Sequence, residues 1–379
     1  MVGAQHAVPL QTYGLSVTFN ETEPSSAMKI LNLTGTEKFL IVRTDRIGDV
    51  ILSTPVLEVL KRRYPESWVA MMVSPYTKDL LQNNPWVDEV ITDDDVGFRD
   101  SLKLLRTLRG KRFDIVVLLR PTLRLAFLLF LSGIKARIGT GYRAYQFFFN
   151  QKIYQHRKTV KKHELEYNLD MLAPLGVSFE KILPKIYLSP EEENYSRQIY
   201  DDLNIKRDDI KIVIHPGSGG SSLNYPLEKF AILADKLIEE LSAKIILTGN
   251  KKELMQSEKM KSWMKHQPFD LTGKTELRQV CSLLKGADLL ISNSTGPMHI
   301  ATAVGTPVVA LFSPLQVASP KRWGPYGEEN EVIMPPVDTC FKCEFQKCPQ
   351  FNCMEKIDPD EIVLRVKNIL REKSMKVNG

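Results

Sequence analysis

Long hydrophobic runs are absent from this sequence, and their absence excludes a membrane-spanning helix. The longest apolar run covers residues 125–131, whereas a helix that crosses a bilayer needs about 20 apolar residues. Residues 1–26 also lack the basic start and apolar centre of a secretory signal. We therefore predict a cytoplasmic protein, for which peripheral contact with a membrane stays open.

A strong excess of one charge is also missing. The chain has 51 basic and 45 acidic residues, which give a net charge of +6. This small excess is compatible with anionic small molecules or a lipid surface, but it does not predict binding to nucleic acid. With 379 residues and a hydrophobic content of 43%, the chain is long enough for two globular domains, each with its own core.

Cysteine is scarce, but four of the five cysteines lie within one short segment. They are Cys340, Cys343, Cys348 and Cys353. In a cytoplasmic protein this spacing favours a metal ion held by thiolates over disulfides. Zinc and iron both fit, and the spacing does not choose between them. Four thiolates leave no open coordination position, so we predict a structural metal site rather than a catalytic one.

Strand and helix patterns alternate from residue 38 onward. Apolar runs predict strands at KFLIV, WVAMMV, DEVI and FDIVVLL in the first half, and at IVIH, KIILT, FDL, DLLIS and VVALF in the second. This alternation is typical of the α/β class with two doubly wound sheets. The segment 189–192, SPEE, is a capping box with proline at the first helical position. We place the domain boundary just before it, near Lys185.

Three loops that follow predicted strands supply candidate ligand-binding residues. Residues 43–49 follow the first strand, at the end of the sheet where open α/β sheets bind ligands. Residues 215–226, HPGSGGSSLNYP, form a glycine- and serine-rich loop that can approach a phosphate or a sugar closely. The third loop leads from Ser294 into a helix predicted at 297–304, with Gly305 at its end.

The third loop has two interpretations. Ser294 and Thr295 can cap the helix and Pro297 suits its first position, so an ordinary capped helix is one of them. The other is an anion site, because the free N–H groups and the positive dipole end of a helix N-terminus attract phosphate. His299 lies inside the predicted helix and could reach the same anion.

Two other stretches also have competing interpretations. Residues 93–95 are three aspartates that could hold a metal, but no sugar-nucleotide motif surrounds them, and we predict a solvated turn. Residues 141–163 interleave aromatic and basic side chains. That pattern is typical of a membrane surface or of a site for a phosphorylated, lipid-linked acceptor, and equally of a packed aromatic loop with a solvated basic edge.

Four segments occur in a specific order along residues 38–370. They are RTDRIGDVILSTP, HPGSGGSSLNYPLEKF, DLTGKTELRQV and SNSTGPMHIATAVGTPVVALFSP. In this order and spacing they resemble glycosyltransferase family 9, the bacterial heptosyltransferases that extend the lipopolysaccharide inner core. The cysteine segment also resembles a cysteine finger found in many members, some of which hold iron there.

The resemblance implies a GT-B architecture, in which two Rossmann-like domains face each other across a cleft. We expect a loosely ordered extension at 1–35, an acceptor-binding domain at 36–185 and a C-terminal helix at 358–379 that packs back toward the first domain. The nucleotide-sugar-binding domain is expected at 186–357, with the cysteine finger at 340–353. The implied location is cytoplasmic, with peripheral contact at the inner membrane left open.

The resemblance also implies an activity and its residues. The protein would be an inverting glycosyltransferase that moves a heptose from ADP-heptose, or a related nucleotide-diphosphate sugar, to a lipopolysaccharide inner-core or related acceptor, without a catalytic metal. Asp49 matches the family's catalytic aspartate, and Asp45 is the rival base. The implied acceptor-binding residues are Arg46, Arg120 and Arg143. The implied donor-binding residues are Ser218, Gly219, Thr248, Gly249, Lys274, Ser294, Thr295, Gly296, Pro297, Met298 and His299.

Two positions depart from the family pattern. Many relatives have aspartate at the position of Ser294, and a lysine that contacts donor phosphates near Leu223. Losing that lysine removes a charge-assisted contact of about 1.5–3 kcal/mol, which Lys251, Lys274 or Arg322 could replace. A donor other than ADP-heptose and a sugar-nucleotide-binding protein without turnover therefore stay open. A sugar-nucleotide epimerase of similar two-domain shape, which would act on the donor with no acceptor present, is a further alternative.

Overall fold

The structure is a computed structural model that describes residues 30–94, 97–178, 181–220 and 223–378. The predicted N-terminal extension lies outside the described residues up to residue 29, and so does Asp95. None of the helices in the described residues is long and apolar enough to cross a membrane.

Two parallel six-stranded sheets form the framework. The strands of the first sheet are β1 (Lys38–Val42), β2 (Trp68–Val73), β3 (Glu89–Thr92), β4 (Ile115–Leu118), β5 (Ala136–Thr140) and β6 (Gln151–Ile153). The strands of the second are β7 (Lys211–His215), β8 (Lys244–Leu247), β9 (Phe269–Asp270), β10 (Leu289–Asn293), β11 (Val308–Leu311) and β12 (Glu331–Ile333). The first sheet has the order β3-β2-β1-β4-β5-β6 and the second the order β12-β11-β10-β7-β8-β9. Both orders reverse beside the sheet's own first strand, which is the doubly wound pattern and confirms the predicted α/β class.

Helices connect the strands and cover the sheets. They are α1 (Ile47–Ile51), α2 (Thr54–Arg63), α3 (Phe98–Lys111), α4 (Leu123–Leu131), α5 (Glu164–Asp170), α6 (Pro190–Asp202), α7 (Leu227–Leu241), α8 (Leu254–Trp263), α9 (Leu277–Lys285), α10 (Gly296–Val304), α11 (Pro320–Trp323) and α12 (Pro359–Asn378). The capping box before α6 is confirmed, since Ser189 and Glu192 each bond to the other's backbone.

The sequence patterns did not predict β5, β6 and β12. β5 and β6 contain Arg137, Gly139 and Lys152, and β12 has three residues at a sheet edge, so none of them shows an apolar run. Residues 43–49 were predicted as a loop, but Ile47 already begins α1. The reason is that a short helix of this kind, which here packs on α10, depends on tertiary contacts more than on local propensity.

The predicted solvated turn at residues 93–95 is wrong for Asp93. This carboxylate is buried, and it accepts two hydrogen bonds from the Arg124 guanidinium at 2.8 and 2.9 Å. Arg124, which is distant in the sequence, therefore compensates the charge of Asp93, which the local sequence pattern had predicted to be exposed to solvent.

The expectation that α12 packs back toward the first sheet is also wrong. Its buried side chains Ile362, Val366 and Ile369 belong to the core of the second sheet, and α12 lies against α7. The apolar face of α12 is therefore satisfied within its own half of the chain.

One hydrophobic cluster extends from the first sheet into the second. The main contact between the halves joins α1 and α10. Ile47 lies close to Gly296, and a Cβ atom added to that glycine would be 3.1 Å from the Ile47 Cβ. These two helices follow β1 and β10, so the contact brings the carboxyl ends of both sheets together.

Candidate active site

A cleft of about 580 Å³ opens where the two sheets reverse their strand order. Open α/β sheets bind ligands at this position, because loops diverge there from neighbouring strands. The first half contributes the segment after β1, with Tyr76 and Arg120, and the second half contributes the start of α10. Val317, Ala318 and Trp323 close one side.

The cleft collects some of the predicted site residues and not others. Those that line it are Arg46, Asp49, Arg120, Ser294, Thr295, Gly296 and His299, together with the rival base Asp45. The predicted residues outside its lining are Arg143, Ser218, Gly219, Thr248, Gly249, Lys274, Pro297 and Met298. Met298 is fully buried in the core, since it lies on the inner face of α10.

Arg43, which the sequence patterns did not single out, organises the acidic side of the cleft. Its guanidinium contacts the Asp49 carboxylate, and its Nε donates to Asp45 at 2.7 Å. Arg120 lies 3.8 Å from Asp45 and donates to the Thr44 carbonyl at 3.0 Å. The two carboxylates are thus fixed to one buried cation.

Glu164, which does not line the cleft, also binds the Arg43 guanidinium. It is the first residue of α5 and is 1% exposed, and it accepts a hydrogen bond from Arg43 at 3.1 Å. Arg157 donates to the same carboxylate at 2.5 Å, and Arg322 from the second half donates at 2.9 Å. Three arginines and the three carboxylates of Asp45, Asp49 and Glu164 therefore form one cluster without excess formal charge.

Burial and the charges within the cluster shift the pKa values of Asp45, Glu164 and Arg43. Burial raises the pKa of Asp45 to about 6, against the attraction of Arg43 and with the repulsion of Asp49. Burial also opposes ionisation of Glu164, but Arg157, Arg43 and Arg322 lower its pKa to about 2. Burial tends to lower the pKa of Arg43, and the charges of Asp49, Asp45 and Glu164 raise it well above its ordinary range.

The N-terminus of α10 faces these carboxylates across the cleft. The helix runs from Gly296 to Val304, one residue earlier than predicted, and Gly305 ends it with a positive φ of 86°. Thr295 is the N-cap residue, but its side chain accepts no capping hydrogen bond. The predicted capping bond is therefore absent, and the hydroxyl-bearing loop stays available to an anion.

Two buried histidines near the donor-side loops are neutral. Burial lowers the pKa of His299 to about 3 and that of His215 to about 4. The His299 Nδ1 has no hydrogen-bond partner among the described residues. His215 Nδ1 lies 3.2 Å from the Thr248 hydroxyl. As a neutral imidazole, His299 brings no positive charge to the cleft that it lines.

Asn293, which sequence reasoning also missed, joins two of the predicted loops. It ends β10, donates to the Pro216 carbonyl at 2.7 Å and accepts from the Tyr225 amide at 2.8 Å. The glycine- and serine-rich loop is therefore fastened at both ends to the strand that leads into α10. Ser218 bonds within this loop, to Asn224 at 2.7 Å.

The cysteine finger begins at a fixed position beside the second sheet. The Cys340 amide donates to the Pro314 carbonyl at 2.9 Å, and the Cys340 carbonyl accepts from Gln316 at the same distance. Burial, followed by the neighbouring thiols, raises the pKa of Cys340. Among the described residues, however, no three potential ligands are arranged to hold a metal. The structural metal stays a prediction.

Gly48 lies in α1 against the His299 ring of α10, beside the carboxylates. A Cβ atom added to it would overlap the His299 ring and lie 3.0 Å from Nε2. We expect Gly48→Ala to push α1 away from α10 and lower kcat/KM by about a hundredfold, because displacements near 1 Å have effects of this size. Steady-state kinetics of the variant and of the wild type measures the change.

Gly110→Ala is the matched control for this change. Gly110 lies in α3, and an added Cβ atom would meet nothing within 4 Å. It should leave kcat/KM unchanged. Equal kinetics for the two alanine variants would contradict the role given to the Gly48–His299 contact.

Comparisons with known proteins agree with this geometry. A family model for glycosyltransferase family 9 (heptosyltransferase) matches residues 101–353. The lipopolysaccharide core heptosyltransferase OpsX of Haemophilus influenzae is 27% identical over 301 residues, which cover 77% of this chain and 83% of that protein.

Solved structures show the same fold. The family 9 glycosyl transferase of Veillonella parvula has a TM-score of 0.77 at 24% identity, over 89% of this chain and 97% of its own. The ADP-heptose lipopolysaccharide heptosyltransferase II of E. coli has a TM-score of 0.74 at 22% identity, and the match covers 89% of this chain and 99% of that chain. The predicted GT-B architecture is confirmed. Because the family model spans about two thirds of the sequence, the protein belongs to glycosyltransferase family 9 and is a glycosyltransferase.

Proposed function

We propose that the protein is an inverting heptosyltransferase that uses ADP-heptose as donor and a lipopolysaccharide inner-core sugar as acceptor. The observation that carries the proposal is the opposition, across one cleft, of carboxylates held by Arg43 and the N-terminus of α10. The names of the relatives supply the sugar and the acceptor. OpsX is a lipopolysaccharide core heptosyltransferase, and the E. coli structure is an ADP-heptose enzyme.

Asp49 is the proposed general base. It lies in α1 beside Gly48, the residue in contact with His299 of the donor side. Asp45 is fixed by both Arg43 and Arg120 and precedes α1, the helix that packs on α10. An acceptor hydroxyl placed between the halves would give its proton to the Asp49 carboxylate as its oxygen attacks the anomeric carbon.

The leaving group would depart toward α10. The bond between the anomeric carbon and the phosphate oxygen breaks while the new glycosidic bond forms on the opposite face, so the anomeric configuration inverts. The diphosphate gains negative charge, which the amides at the start of α10 and the positive end of its dipole stabilise. Ser294 and Thr295 line the cleft there, and their hydroxyls would add hydrogen bonds.

Basic residues on the first half would bind the acceptor, and those on the second half the donor. Arg46 and Arg120 line the cleft, whereas Arg143 is exposed on a loop outside it. Arg322 cannot easily replace the missing donor lysine, because Glu164 already holds it. Lys251 and Lys274 are exposed beside the ends of β8 and β9 and are the better candidates. We accordingly propose 36–185 as the acceptor domain and 186–357 as the donor domain.

The activity test supplies ADP-heptose with and without delipidated lipopolysaccharide core. We expect heptosylated core and ADP only when both substrates are present, and NMR of the product should show the inverted anomeric configuration. A changed donor without acceptor would instead support an epimerase. Donor binding without any product would support a binding protein without turnover. Retention of configuration would overturn the proposed mechanism.

We also propose a structural zinc or iron ion at the cysteine finger. The chemistry of the donor set fits, since four thiols lie within 14 residues and Cys353 packs in the core of the second sheet. When bound, such an ion would cross-link a segment that has little core of its own. It would have no part in the glycosyl transfer.

Elemental analysis under reducing conditions should find zinc or iron near one ion per chain. In Cys343→Ser, Cys348→Ser protein the metal should disappear and the finger should become sensitive to proteases, because thiolate bonding supplies much of the folding free energy of small metal elements. Cys281→Ala is the control that should keep the metal, since Cys281 is buried in α9. Metal-free wild-type protein with paired cysteines would contradict the proposal.

A further inference from the structure

α4 presents an apolar face to solvent. Leu123, Phe127 and Phe130 recur at helical spacing and are 58%, 45% and 45% exposed, while the opposite face of α4 is buried. Phe148 from the following loop lies with its ring centroid 5.6 Å from that of Phe127 and 5.3 Å from that of Phe130. The ring of Phe147, which is 67% exposed, has its centroid 4.3 Å from the centroid of the Phe148 ring. We call these five side chains the aromatic patch.

The patch lies within the most basic part of the chain. Residues 115–163 contain ten lysines and arginines and no aspartate or glutamate. Because the whole chain has a net charge of +6, the rest of it is net acidic. The weak overall charge thus hides a strong separation of charge between this segment and the remainder.

Several of these cations border the patch. The Arg137 guanidinium lies 5.3 Å from the centroid of the Phe130 ring. Lys135 follows the end of α4, and Arg143 precedes Phe147 on its loop, and both are exposed. Within the part of the chain that the structure describes, no carboxylate forms an ion pair with Lys135, Arg137 or Arg143. Exposed aromatic rings with uncompensated cations around them match the chemistry of an anionic lipid surface.

The patch also adjoins the cleft on its acceptor side. Arg120, which lines the cleft, precedes α4 by three residues. The Tyr145 hydroxyl donates to the Pro121 carbonyl at 2.7 Å and fastens the loop of Phe147 and Phe148 to the start of α4. A surface that binds the patch would therefore lie next to the acceptor-binding side of the cleft.

We propose that the aromatic patch docks this protein on bilayers of anionic phospholipid. The rings enter the interface between headgroups and acyl chains, and the cations Lys135, Arg137 and Arg143 attract the negative surface. This deepens the proposed function and rests on it in one respect, namely that the acceptor is linked to lipid. Docking would then present the lipid-linked acceptor to Arg120 without its leaving the membrane.

Flotation with vesicles tests the proposal without any glycosyl transfer. Wild-type protein should float with a one-to-one mixture of phosphatidylcholine and phosphatidylglycerol and not with phosphatidylcholine alone. Raising the salt to about 1 M, where the Debye length is about 3 Å, should weaken binding. Phe127→Ser, Phe130→Ser should lower the partition coefficient by about tenfold or more, and Lys135→Gln by about fivefold.

Matched variants keep the test decisive. Leu254→Ser, Met255→Ser removes two exposed apolar side chains from α8 of the second half and should leave vesicle binding unchanged. Phe147→Ser changes the most exposed ring of the patch, so it should weaken binding even if the double variant folds poorly. All of them should keep wild-type turnover on delipidated acceptor.

Failure can be assigned to one proposal or the other. Wild-type protein that does not float, or that binds both vesicle types equally, would overturn the docking proposal even if the enzyme is fully active. A patch that instead joins two copies of the chain would show a concentration-dependent mass that Phe147→Ser abolishes, again without flotation. Normal flotation without heptosyl transfer would leave docking intact and refute the proposed activity.

Discussion

Replacing Asp49 with asparagine is expected to lower kcat by about two to four orders of magnitude and to leave the donor dissociation constant nearly unchanged. Asparagine keeps the size of the side chain but cannot accept the acceptor proton. The donor is proposed to bind at α10, on the other side of the cleft, so its affinity should not depend on this carboxylate. Steady-state kinetics and calorimetric titration with ADP-heptose in the absence of acceptor measure the two quantities separately.

Asp45→Asn is the matched control for the assignment of the base. Both aspartates contact Arg43, so both variants disturb the same cluster by one charge. Only the loss of the base should produce the larger fall in kcat, whereas a purely electrostatic role would give similar losses. If Asp45→Asn removes turnover and Asp49→Asn is benign, the base is Asp45, whose raised pKa suits that role.

Glu164→Gln is expected to destabilise the fold by about 3–5 kcal/mol, because it leaves the buried Arg43 and the partly buried Arg157 and Arg322 without their shared carboxylate. Glu164 acts here as a positioning residue. It touches no substrate, but it holds the guanidinium that orients both aspartates. Urea unfolding at pH 7 measures the change in free energy. Glu258→Gln, at an exposed pair with Lys261, should cost at most about 1 kcal/mol.

The pH dependence separates this role from simple loss of stability. Without the negative charge of Glu164, the positive charges of the three arginines act more strongly on Asp45, so the pKa of this carboxyl, which burial raises, should fall. The acid limb of kcat/KM should therefore move to lower pH, and Glu164→Asp should restore it in part. An unchanged acid limb in a folded variant would limit Glu164 to a structural role.

The stability contribution of Glu164 has a defined pH window. Its folded-state pKa of about 2 lies below its ordinary value of 4.5. The ionised carboxylate therefore stabilises the fold fully above pH 4.5, and this stabilisation is lost as the pH falls toward 2. The difference in unfolding free energy between wild type and Glu164→Gln should shrink over that range.

Long apolar strands were predictable, because a strand that is buried on both faces consists of consecutive apolar residues. WVAMMV and KFLIV became β2 and β1 with the predicted bounds. β6 and β12 were not predicted, because each has three residues without an apolar run and pairs only at a sheet edge. Strand pairing, rather than composition, decides such segments.

The candidate site divides in the same way. Local sequence was sufficient for the α10 loop and for the segment of Asp45 and Asp49, because glycine, proline and acidic residues after a strand have local consequences for the backbone. It was insufficient for Arg43 and Glu164, which are 121 residues apart. A single buried charge has no sequence signature, because only its partner makes burial tolerable.

The sequence by itself determined the doubly wound α/β class, the order of the ligand loops and the family. Apolar periodicity and turn chemistry act over a few residues, and the four motifs occur in a specific order. Only the tertiary structure decided which residues share the cleft, which core receives α12, and that Arg322 of one half joins Glu164 of the other across 158 residues. Those outcomes depend on how two sheets pack and where charges find partners, and such contacts are formed between segments that the sequence keeps far apart.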